Sequence, residues 1–320
     1  MPKVSVIIPV YGVENYIERC ARSLFEQTLD DIEYLFIDDC TPDHSIEKMQ
    51  QVLEEYPQRK PQVVIHRMEQ NSGQAAVRKW GIQNATGEYV IHCDSDDWAD
   101  KDAYSALYGK AKAEKADIAI CDLDVSNEES HRFVEGCLNI DKALFLRDVC
   151  SMRTSWSLCN KIICRELYQE NFVFPKNNMG EDMAMMIQLI SKASKIAYVP
   201  NVYYHYFNNP TSITRVKDYK CIERRFFQVK ENTDIALRAL EDYGFAMNNL
   251  DSLCVMKLNV KRQILPLVHS EKYYNTWRST YPETNKQIWV NRYISFKDKL
   301  KYALTLVRMY PSKNGRVEVK

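Results

Sequence analysis

The first 120 residues alternate short apolar runs with stretches whose apolar positions recur at helical spacing. Val4 to Val10 is an apolar run of the kind found in a strand buried on both faces of a parallel sheet. The same kind of pattern predicts four more strands: Ile32 to Ile37, Val63 to His66, Val90 to Cys93, and Ile118 to Cys121. These runs are short and bounded by turn residues, so we interpret them as strands rather than helices.

Helical spacing predicts a helix in each interval between these strands. In the first helix the apolar positions include Tyr16, Cys20 and Leu24, and Asn15 can cap it. The others are predicted around Ile46 to Leu53, Ala75 to Ala85, and Ala103 to Ala113. Strands that alternate with helices in this way form β-α-β units, so the sequence predicts an α/β fold with a mostly parallel sheet.

Polar side chains follow several of these strands at the point where each strand ends. In an open α/β sheet, ligands bind outside the carboxyl ends of the strands. The groups that fall at these ends are Tyr11, Asp38 with Asp39, Arg67, and Asp94 with Asp96. We therefore expect the binding site at this edge of the sheet.

Three carboxylates, Asp94, Asp96 and Asp97, directly follow the strand at Val90 to Cys93. Carboxylates packed this closely repel one another unless a cation lies between them or one holds a proton. Oxygen ligands at a strand end suit a hard divalent ion that keeps waters and binds phosphate, such as Mg²⁺ or Mn²⁺. An acidic surface turn is the alternative, and the strand-end position favours the metal site.

The pattern loosens after about residue 125. A helix is predicted at Asn139 to Val149, and the pair Glu181-Asp182 opens another. Ile196 to Val199 and Val202 to Phe207 predict two strands. From about Lys217 the pattern is helical and more charged, which indicates a helical C-terminal region.

Composition narrows the function classes. The 43 basic residues balance 43 acidic residues, so no overall field indicates nucleic-acid binding. The first apolar run is too short for a signal peptide, and no apolar run approaches the length of about 20 residues that a membrane helix requires. The ten cysteines are not spaced as zinc ligands, and we expect reduced thiols in a cytoplasmic protein.

A basic amphipathic helix is predicted near the C-terminus. Phe296, Leu300, Leu304 and Val307 share one helical face. The surrounding charged residues are mainly basic: Arg292, Lys297, Lys299, Lys301 and Arg308, with Asp298 opposing. Such a helix can lie on an anionic membrane, or its apolar stripe can pack on the catalytic domain or on a second subunit. The sequence leaves these alternatives open.

Several short motifs occur in a fixed order along residues 4 to 214. They are Val4-Ser-Val-Ile-Ile-Pro-Val-Tyr11, Ile37-Asp-Asp-Cys-Thr-Pro-Asp43, Asn71-Ser-Gly-Gln-Ala-Ala-Val-Arg78 with Gly81, Thr86-Gly-Glu-Tyr-Val-Ile-His-Cys-Asp-Ser-Asp-Asp-Trp98, Glu181-Asp182, and Tyr203-Tyr-His-Tyr-Phe207 with Thr211-Ser-Ile-Thr214. With this set the chain resembles family 2 glycosyltransferases over roughly residues 3 to 215. These are inverting, nucleotide-sugar-dependent enzymes of the GT-A fold, which is Rossmann-like.

The resemblance implies a domain organisation. Residues 1–215 would form the GT-A catalytic domain, with the nucleotide-binding half at about 1–122 and the acceptor half at about 123–215. Residues 216–320 would form the helical C-terminal region. The chain departs from the family pattern at Cys40, where a Gly is usual, and at Gly12, Val77 and Lys79. None of these changes removes a charged group, although donor choice could be affected.

The resemblance also implies roles for individual residues. Asp96 would bind Mn²⁺ or Mg²⁺, and Asp94 would lie near the ribose. The rest of the nucleotide-binding set would be Pro9, Tyr11, Asp39 and Arg78: Tyr11 would stack beside the base, Asp39 would accept a hydrogen bond from it, and Arg78 would lie near the diphosphate. A hydrogen-bond acceptor such as the Asp39 carboxylate fits N3–H of uracil, which favours a UDP-sugar.

Asp182 would be the catalytic base that takes the proton from the acceptor hydroxyl, and Glu181 is the alternative base. His92 and His205 are possible extra metal ligands, although a lone strand histidine is more often a packed residue. The implied acceptor is a glycan or a lipid-linked glycan of a cell-surface polysaccharide, and an oligomer is possible.

Two other functions remain open at this stage. A nucleotide-sugar pyrophosphorylase would need a glycine-rich phosphate loop after the first strand, and Pro9 to Gly12 does not provide one. A catalytically silent nucleotide-sugar-binding scaffold would not need the acids that are present here.

Overall fold

The computed structural model describes residues 1–127, 130–209, 218–245, 249–310 and 317. Within these residues, one sheet is flanked by helices and followed by a helical region. The strands are β1 (Val4–Val10), β2 (Ile32–Asp38), β3 (Val63–Arg67), β4 (Tyr89–His92), β5 (Trp98–Ala99), β6 (Ile118–Ser126), β7 (His131–Val134), β8 (Lys161–Cys164) and β9 (Ile196–Phe207). The helices are α1 (Ile17–Phe25), α2 (Ser45–Glu54), α3 (Gln74–Asn84), α4 (Ala103–Glu114), α5 (Lys142–Cys150), α6 (Glu181–Lys192), α7 (Tyr219–Asp242), α8 (Leu250–Ile264), α9 (Glu271–Ser279), α10 (Thr284–Val290) and α11 (Phe296–Leu306).

The sheet order explains where a ligand can bind. Its strands lie in the order β3-β2-β1-β4-β8-β6-β9-β5, and β7 pairs with β6. Strands β1 to β4 are parallel, β8 is antiparallel to both of its neighbours, and β6 and β9 are parallel. The chain turns from β1 to β2 and β3 on one side and returns to β4 on the other, so the strand order reverses between β1 and β4. Such a reversal opens a crevice at the carboxyl ends of those two strands.

Both faces of β1 are buried, as its apolar run predicts. Val6 and Ile8 belong to a core cluster shared with α1, α2 and α4. Ile7, between them, belongs to the opposite cluster, which is shared with α3, α5 and α6. The predicted α/β fold with a mostly parallel sheet and a helical C-terminal region is confirmed, and the antiparallel pairings lie in the second half of the sheet.

Two local predictions need correction. The residue that caps α1 is Tyr16 rather than Asn15, and no side chain accepts a hydrogen bond at this helix start. The two strands predicted at Ile196 to Val199 and Val202 to Phe207 are one strand, β9. Its pairing with β6 shifts from Cys121 opposite Val199 to Asp122 opposite Val202. Pro200 lies in this irregularity, where its missing N–H costs no ladder hydrogen bond.

The helical region begins with α7, which packs against α6. The side-chain amide of Asn232 donates to the carbonyl oxygens of Asn177 and Met179 at 2.8 and 3.0 Å. This contact fixes the turn that leads into α6. The predicted domain boundary near residue 215 stays a prediction. None of the helices in the described part of the chain is both long and apolar enough to cross a membrane.

Candidate active site

The three carboxylates that follow β4 have different environments. Asp97 is completely buried, and its carboxylate accepts hydrogen bonds from the Phe207 N–H and the Tyr204 hydroxyl, both at 2.7 Å. The same hydroxyl accepts from the Asp94 N–H at 3.1 Å. Burial and the negative charge of Asp94 raise the pKa of Asp97. Asp97 therefore ties the turn after β4 to β9, and only Asp94 and Asp96 remain as candidate ligand groups.

Asp96 is half-buried at the tip of this turn. The side-chain amide of Asn209 donates to its carboxylate at 3.1 Å, and Arg19 donates to its backbone carbonyl at 2.7 Å. Burial, followed by repulsion from Asp94, raises the pKa of Asp96. Burial is the larger cause of this shift, and the smaller contribution from Asp94 is a repulsion between two carboxylates that a bound cation would relieve.

Arg78, on α3, connects the turn after β4 with the start of α6. Its guanidinium is 1% exposed and lies 2.8 Å from Asp94 Oδ1 and 2.9 Å from Glu181 Oε1. The same group contacts Asp182 Oδ1. Burial by itself lowers the pKa of Arg78. The negative charges of Asp182, Asp94 and Glu181 outweigh this effect and raise the pKa well above its usual value, so the guanidinium stays charged. The structure thus brings three residues, predicted from two distant motifs, to one side chain.

The described contacts of Arg78 are with the protein's own acidic side chains. All of its ion-pair partners in the described structure are carboxylates, and its Nε atom is buried without a hydrogen-bond partner. The predicted nucleotide-binding role of Arg78 stays a prediction. What the geometry adds is a direct link between Arg78 and the proposed base.

Glu181 and Asp182 begin α6, as predicted, and differ in accessibility. Gly180 precedes them with a φ of +83°, a conformation that favours glycine. The Asp182 side chain is 25% exposed, whereas that of Glu181 is 8% exposed. Burial, followed by the negative charge of Asp182, raises the pKa of Glu181 to about 8, although Arg78 opposes the shift. Burial also raises the pKa of Asp182, and Arg78 again opposes this.

These pKa shifts follow from the charge balance around Arg78. One guanidinium faces the three carboxylates of Asp94, Glu181 and Asp182, so the group has excess negative charge when all are ionised. Protonation of the most buried member, Glu181, reduces that excess at neutral pH. Asp182 is the more accessible of the two acids at the start of α6.

The raised pKa of Glu181 predicts a pH-dependent stability. The native state holds the proton above the unfolded pKa of about 4.3, so this stabilisation is complete below that pH and is lost as pH rises through about 8. Glu181→Gln mimics the protonated acid and should remove this dependence. We expect the free energy of unfolding of the parent to fall more steeply than that of the variant between about pH 4.3 and about pH 8, by up to roughly 1.4 kcal/mol per pH unit.

Urea unfolding followed by circular dichroism at several pH values measures this difference. Glu47→Gln, which changes an exposed glutamate on α2, is the matched control and should keep the parent's pH profile. Superimposable profiles for the parent and Glu181→Gln would show that Glu181 is ionised in the native state.

Asp39 organises the loop before α3. One carboxylate oxygen accepts the Ser72 N–H at 2.7 Å, and the other accepts the Gly73 N–H at 2.8 Å. Cys40, which follows it, has a φ of +56°, so a non-glycine residue occupies a left-handed conformation at the position where glycine is usual in the family that the sequence resembles. Asp39 lies at the end of β2 as expected, and its predicted contact with a base stays a prediction.

The end of β1 provides the opposite wall of the crevice. The carbonyl oxygen of Pro9 accepts a hydrogen bond from the Ser95 hydroxyl at 2.6 Å, which joins β1 to the acidic turn. Tyr11 follows β1 and is 51% exposed. Gly12 has a φ of +67°, and its N–H donates to Thr41 Oγ1 at 2.9 Å. An exposed aromatic ring at a strand end is free to stack on a planar ligand.

The histidines considered as extra ligands have other contacts. His92 is fully buried and lies 3.3 Å from the Tyr168 hydroxyl, and burial lowers its pKa well below the usual range. The two ring nitrogens of His205 lie 3.2 Å from Asp124 and 3.0 Å from Asp100. A role for either in metal binding stays a prediction. The motif Thr211 to Thr214 lies outside the described residues.

Sequence reasoning missed two residues that support the site. Gln74 donates to Asp94 Oδ1 at 2.9 Å, and Asn178 accepts the Ala75 N–H at 3.1 Å. Gln74 lies one helical turn before Arg78, which is the available signal that both reach the same carboxylate. Nothing in the local sequence indicates that Asn178 contacts α3, because they are far apart along the chain.

The oxygen ligands at this turn suit a divalent ion, but the described protein side chains do not complete its coordination. Within the described residues, no three His, Cys, Asp or Glu side chains come together as metal ligands. Asp94 and Asp96 provide carboxylate oxygens, which Mg²⁺ and Mn²⁺ prefer, and Mg²⁺ commonly binds through one or two carboxylates together with substrate phosphates. The chain thus fits a metal that binds together with a phosphate-bearing ligand.

Comparisons with known proteins identify the family and the fold of the chain. The profile of the family described as glycosyl transferase family 2 matches residues 5–164. The chain is 29% identical over 280 residues to the uncharacterized glycosyltransferase EpsJ of Bacillus subtilis (strain 168), a match covering 84% of this chain and 77% of EpsJ. It is 29% identical over 214 residues to the poly(ribitol-phosphate) beta-glucosyltransferase of Bacillus spizizenii, covering 64% of this chain and 32% of that protein.

Among solved structures, S. aureus TarS 1–349 in complex with UDP-GlcNAc aligns with a TM-score of 0.61 at 16% identity. The alignment covers 96% of this chain and 88% of the TarS chain. At this identity the likeness concerns the fold, and it confirms the expected GT-A architecture.

Proposed function

The chain belongs to glycosyl transferase family 2, and from this premise we propose that it transfers a sugar from a nucleotide-diphosphate sugar to a glycan or lipid-linked acceptor. The observation that carries the proposal is the connection that Arg78 makes between Asp94 and Asp182. It joins the acidic turn of the donor site to a carboxylate that can act as a base. Family membership also removes the pyrophosphorylase alternative.

The donor is proposed to bind in the crevice between the carboxyl ends of β1 and β4. Tyr11 would stack on the base, Asp39 would accept a hydrogen bond from it, and Asp94 would lie near the ribose. We propose a UDP-sugar, because a carboxylate suits N3–H of uracil and because the TarS structure of similar fold holds UDP-GlcNAc.

Mn²⁺ or Mg²⁺ is proposed to bind at Asp96 together with the donor diphosphate. A divalent ion there would neutralise charge on the leaving nucleotide diphosphate. The repulsion between Asp94 and Asp96, which contributes to the raised pKa of Asp96 after burial, supports this assignment, because a cation at this turn would offset it.

The proton of the acceptor hydroxyl is proposed to pass to Asp182. The Asp182 side chain is more exposed than that of Glu181, and Glu181, with a pKa of about 8, is protonated at neutral pH. A hydroxyl oxygen deprotonated on the face opposite the leaving group would attack the anomeric carbon with inversion. Arg78 is then a positioning residue, because it holds Asp182 and Asp94 through its two terminal nitrogens.

The biological setting is part of the same proposal. The similarity to a poly(ribitol-phosphate) beta-glucosyltransferase supports a role in cell-surface polysaccharide synthesis, with the reaction in the cytoplasm. Thermal-shift screening against a panel of nucleotide sugars with Mn²⁺ would identify the donor.

The metal assignment predicts a loss of binding in Asp96→Ala. UDP should bind the parent more tightly with Mn²⁺ than without it, and the variant should lose this gain, with a decrease of roughly tenfold or more. Calorimetric titration of UDP, with and without Mn²⁺, measures both effects. Asp31→Ala, which removes an exposed aspartate paired with Lys3, is the control.

Equal UDP affinity in the parent and Asp96→Ala, both with Mn²⁺, would contradict the assignment. Hydrolysis of the donor without acceptor provides a separate test of activity. A parent that binds UDP with Mn²⁺ but neither hydrolyses nor transfers a sugar from any donor in the panel would instead be the silent scaffold.

A further inference from the structure

Helix α11 attaches to the protein through the face opposite its apolar stripe. Tyr302 and Thr305 are its buried residues. The ring of Tyr302 lies 4.8 Å from that of Trp277, and its hydroxyl donates to Asn285. The stripe that the sequence indicated does not make this contact. Within the described residues, Phe296, Leu300 and Val307 of the stripe are therefore not covered by the rest of the protein, and Leu304 is half-buried.

The outward face of α11 is apolar and accessible. Phe296 is 81% exposed, Leu300 is 50% exposed, and Val307 is 63% exposed. Two further exposed apolar residues flank α11 along the chain, namely Val290 at the end of α10, 83% exposed, and Met309 after α11, 68% exposed. Scattered exposed apolar residues are normal, but large ones aligned on one helical face mark an interaction surface.

Basic side chains border this surface. Lys297 and Lys299 stand on opposite sides of the apolar stripe at helical spacing. Lys297 is exposed and makes no ion pair within the described part of the chain, and Lys299 donates to the Trp289 carbonyl at 3.0 Å, which places α10 beside it. The one acidic residue of α11, Asp298, points to the inner side, where it lies 3.5 Å from both Arg262 and Lys301.

We propose that this face, formed by Phe296, Leu300, Val307, Val290 and Met309, binds an anionic phospholipid membrane surface. The apolar side chains would enter the boundary between headgroups and acyl chains, and the lysines would contact lipid phosphates. This proposal goes beyond the glycosyl transfer itself, since it concerns where the protein is held and not which sugar it moves.

The charge pattern favours a membrane over a second copy of the chain. A two-fold contact would place the same patch on both subunits, so the lysine borders of one copy would face those of the other. Like charges brought together across an interface oppose association. An anionic membrane complements the same arrangement.

Vesicle co-sedimentation of the full chain tests the proposal. Vesicles of phosphatidylcholine alone are compared with vesicles that also contain phosphatidylglycerol. The parent should bind the anionic vesicles more strongly, and high salt should weaken that binding. The double variant Phe296→Ser with Leu300→Ser should bind at least about tenfold less, because two apolar side chains no longer enter the membrane.

The variant Lys297→Gln tests the electrostatic contribution to vesicle binding. Its binding to anionic vesicles should fall by about fivefold, the equivalent of one basic residue near the surface, and its binding to neutral vesicles should not change. Phe227→Ser is the matched control, because Phe227 is a 48% exposed aromatic residue on α7 outside the face. All of the altered side chains are exposed, so circular dichroism melting curves should match that of the parent.

Two outcomes would overturn the proposal. One is a parent that binds anionic vesicles no better than neutral vesicles or no better than the double variant. The other is a parent that is dimeric by light scattering, whose dimer is lost in the double variant and which does not bind vesicles. In that case the face joins two copies of the chain.

Discussion

Asp182→Asn should retain donor binding and lose transfer by roughly 10²–10⁴-fold in kcat, the usual contribution of a general base. Asparagine has nearly the same shape and can still contact Arg78 through its carbonyl oxygen, but it cannot take the acceptor proton. The structure places the Asp182 carboxylate where it is 25% exposed, so an acceptor hydroxyl can reach it. Initial transfer rates and calorimetric titration of UDP measure the two effects separately.

Glu181→Gln is the control for this experiment. Glu181 is buried and has a pKa of about 8, so at neutral pH the amide replaces a group that is already largely neutral. Its kcat should fall much less than that of Asp182→Asn. The reverse order, with near-parent turnover in Asp182→Asn, would assign the base to Glu181.

Arg78→Gln should destabilise the fold by roughly 3–5 kcal/mol and abolish most activity. Removing one partner from a buried ion pair leaves charges without compensation, and here three carboxylates share one guanidinium. The carboxylates can respond by taking up protons, so their folded pKa values rise in the variant. The deficit in the free energy of unfolding should therefore be smaller at low pH and grow as pH rises.

Urea unfolding of the parent and Arg78→Gln at acidic and alkaline pH measures this deficit. Lys79→Gln removes an adjacent but exposed positive charge and should change stability by less than about 0.5 kcal/mol. Arg78→Lys should restore only part of the loss, because an ammonium group lacks the planar fork that reaches Asp94 and Asp182 together. A parent-like unfolding profile in Arg78→Gln would show that these ion pairs do not stabilise the protein.

The local pattern of the sequence was sufficient for the parallel part of the sheet and for the sheet edge at which the candidate site was expected. The apolar run of β1 requires burial on both faces, and the alternation with helices makes β1 to β4 parallel. The carboxyl ends of parallel strands meet at one edge, so Tyr11, Asp39 and Asp94 could be placed in one crevice from their position along the chain. The start of α6 at Glu181 was likewise predicted from sequence.

Only the tertiary structure decided what these groups contact. Asp94, Asp96 and Asp97 look equivalent in sequence, but hydrogen bonds from Tyr204 and the Phe207 N–H commit Asp97 to the fold. The carboxylate partners of Arg78 include Asp94 and Asp182, which are far apart in sequence, and no local periodicity indicates that they meet. The stripe of α11 shows the same limit, because periodicity identifies an apolar face but not the side on which the helix packs. That side was decided by Tyr302, whose ring and hydroxyl find partners on α9 and α10, so Phe296 and Leu300 face outward.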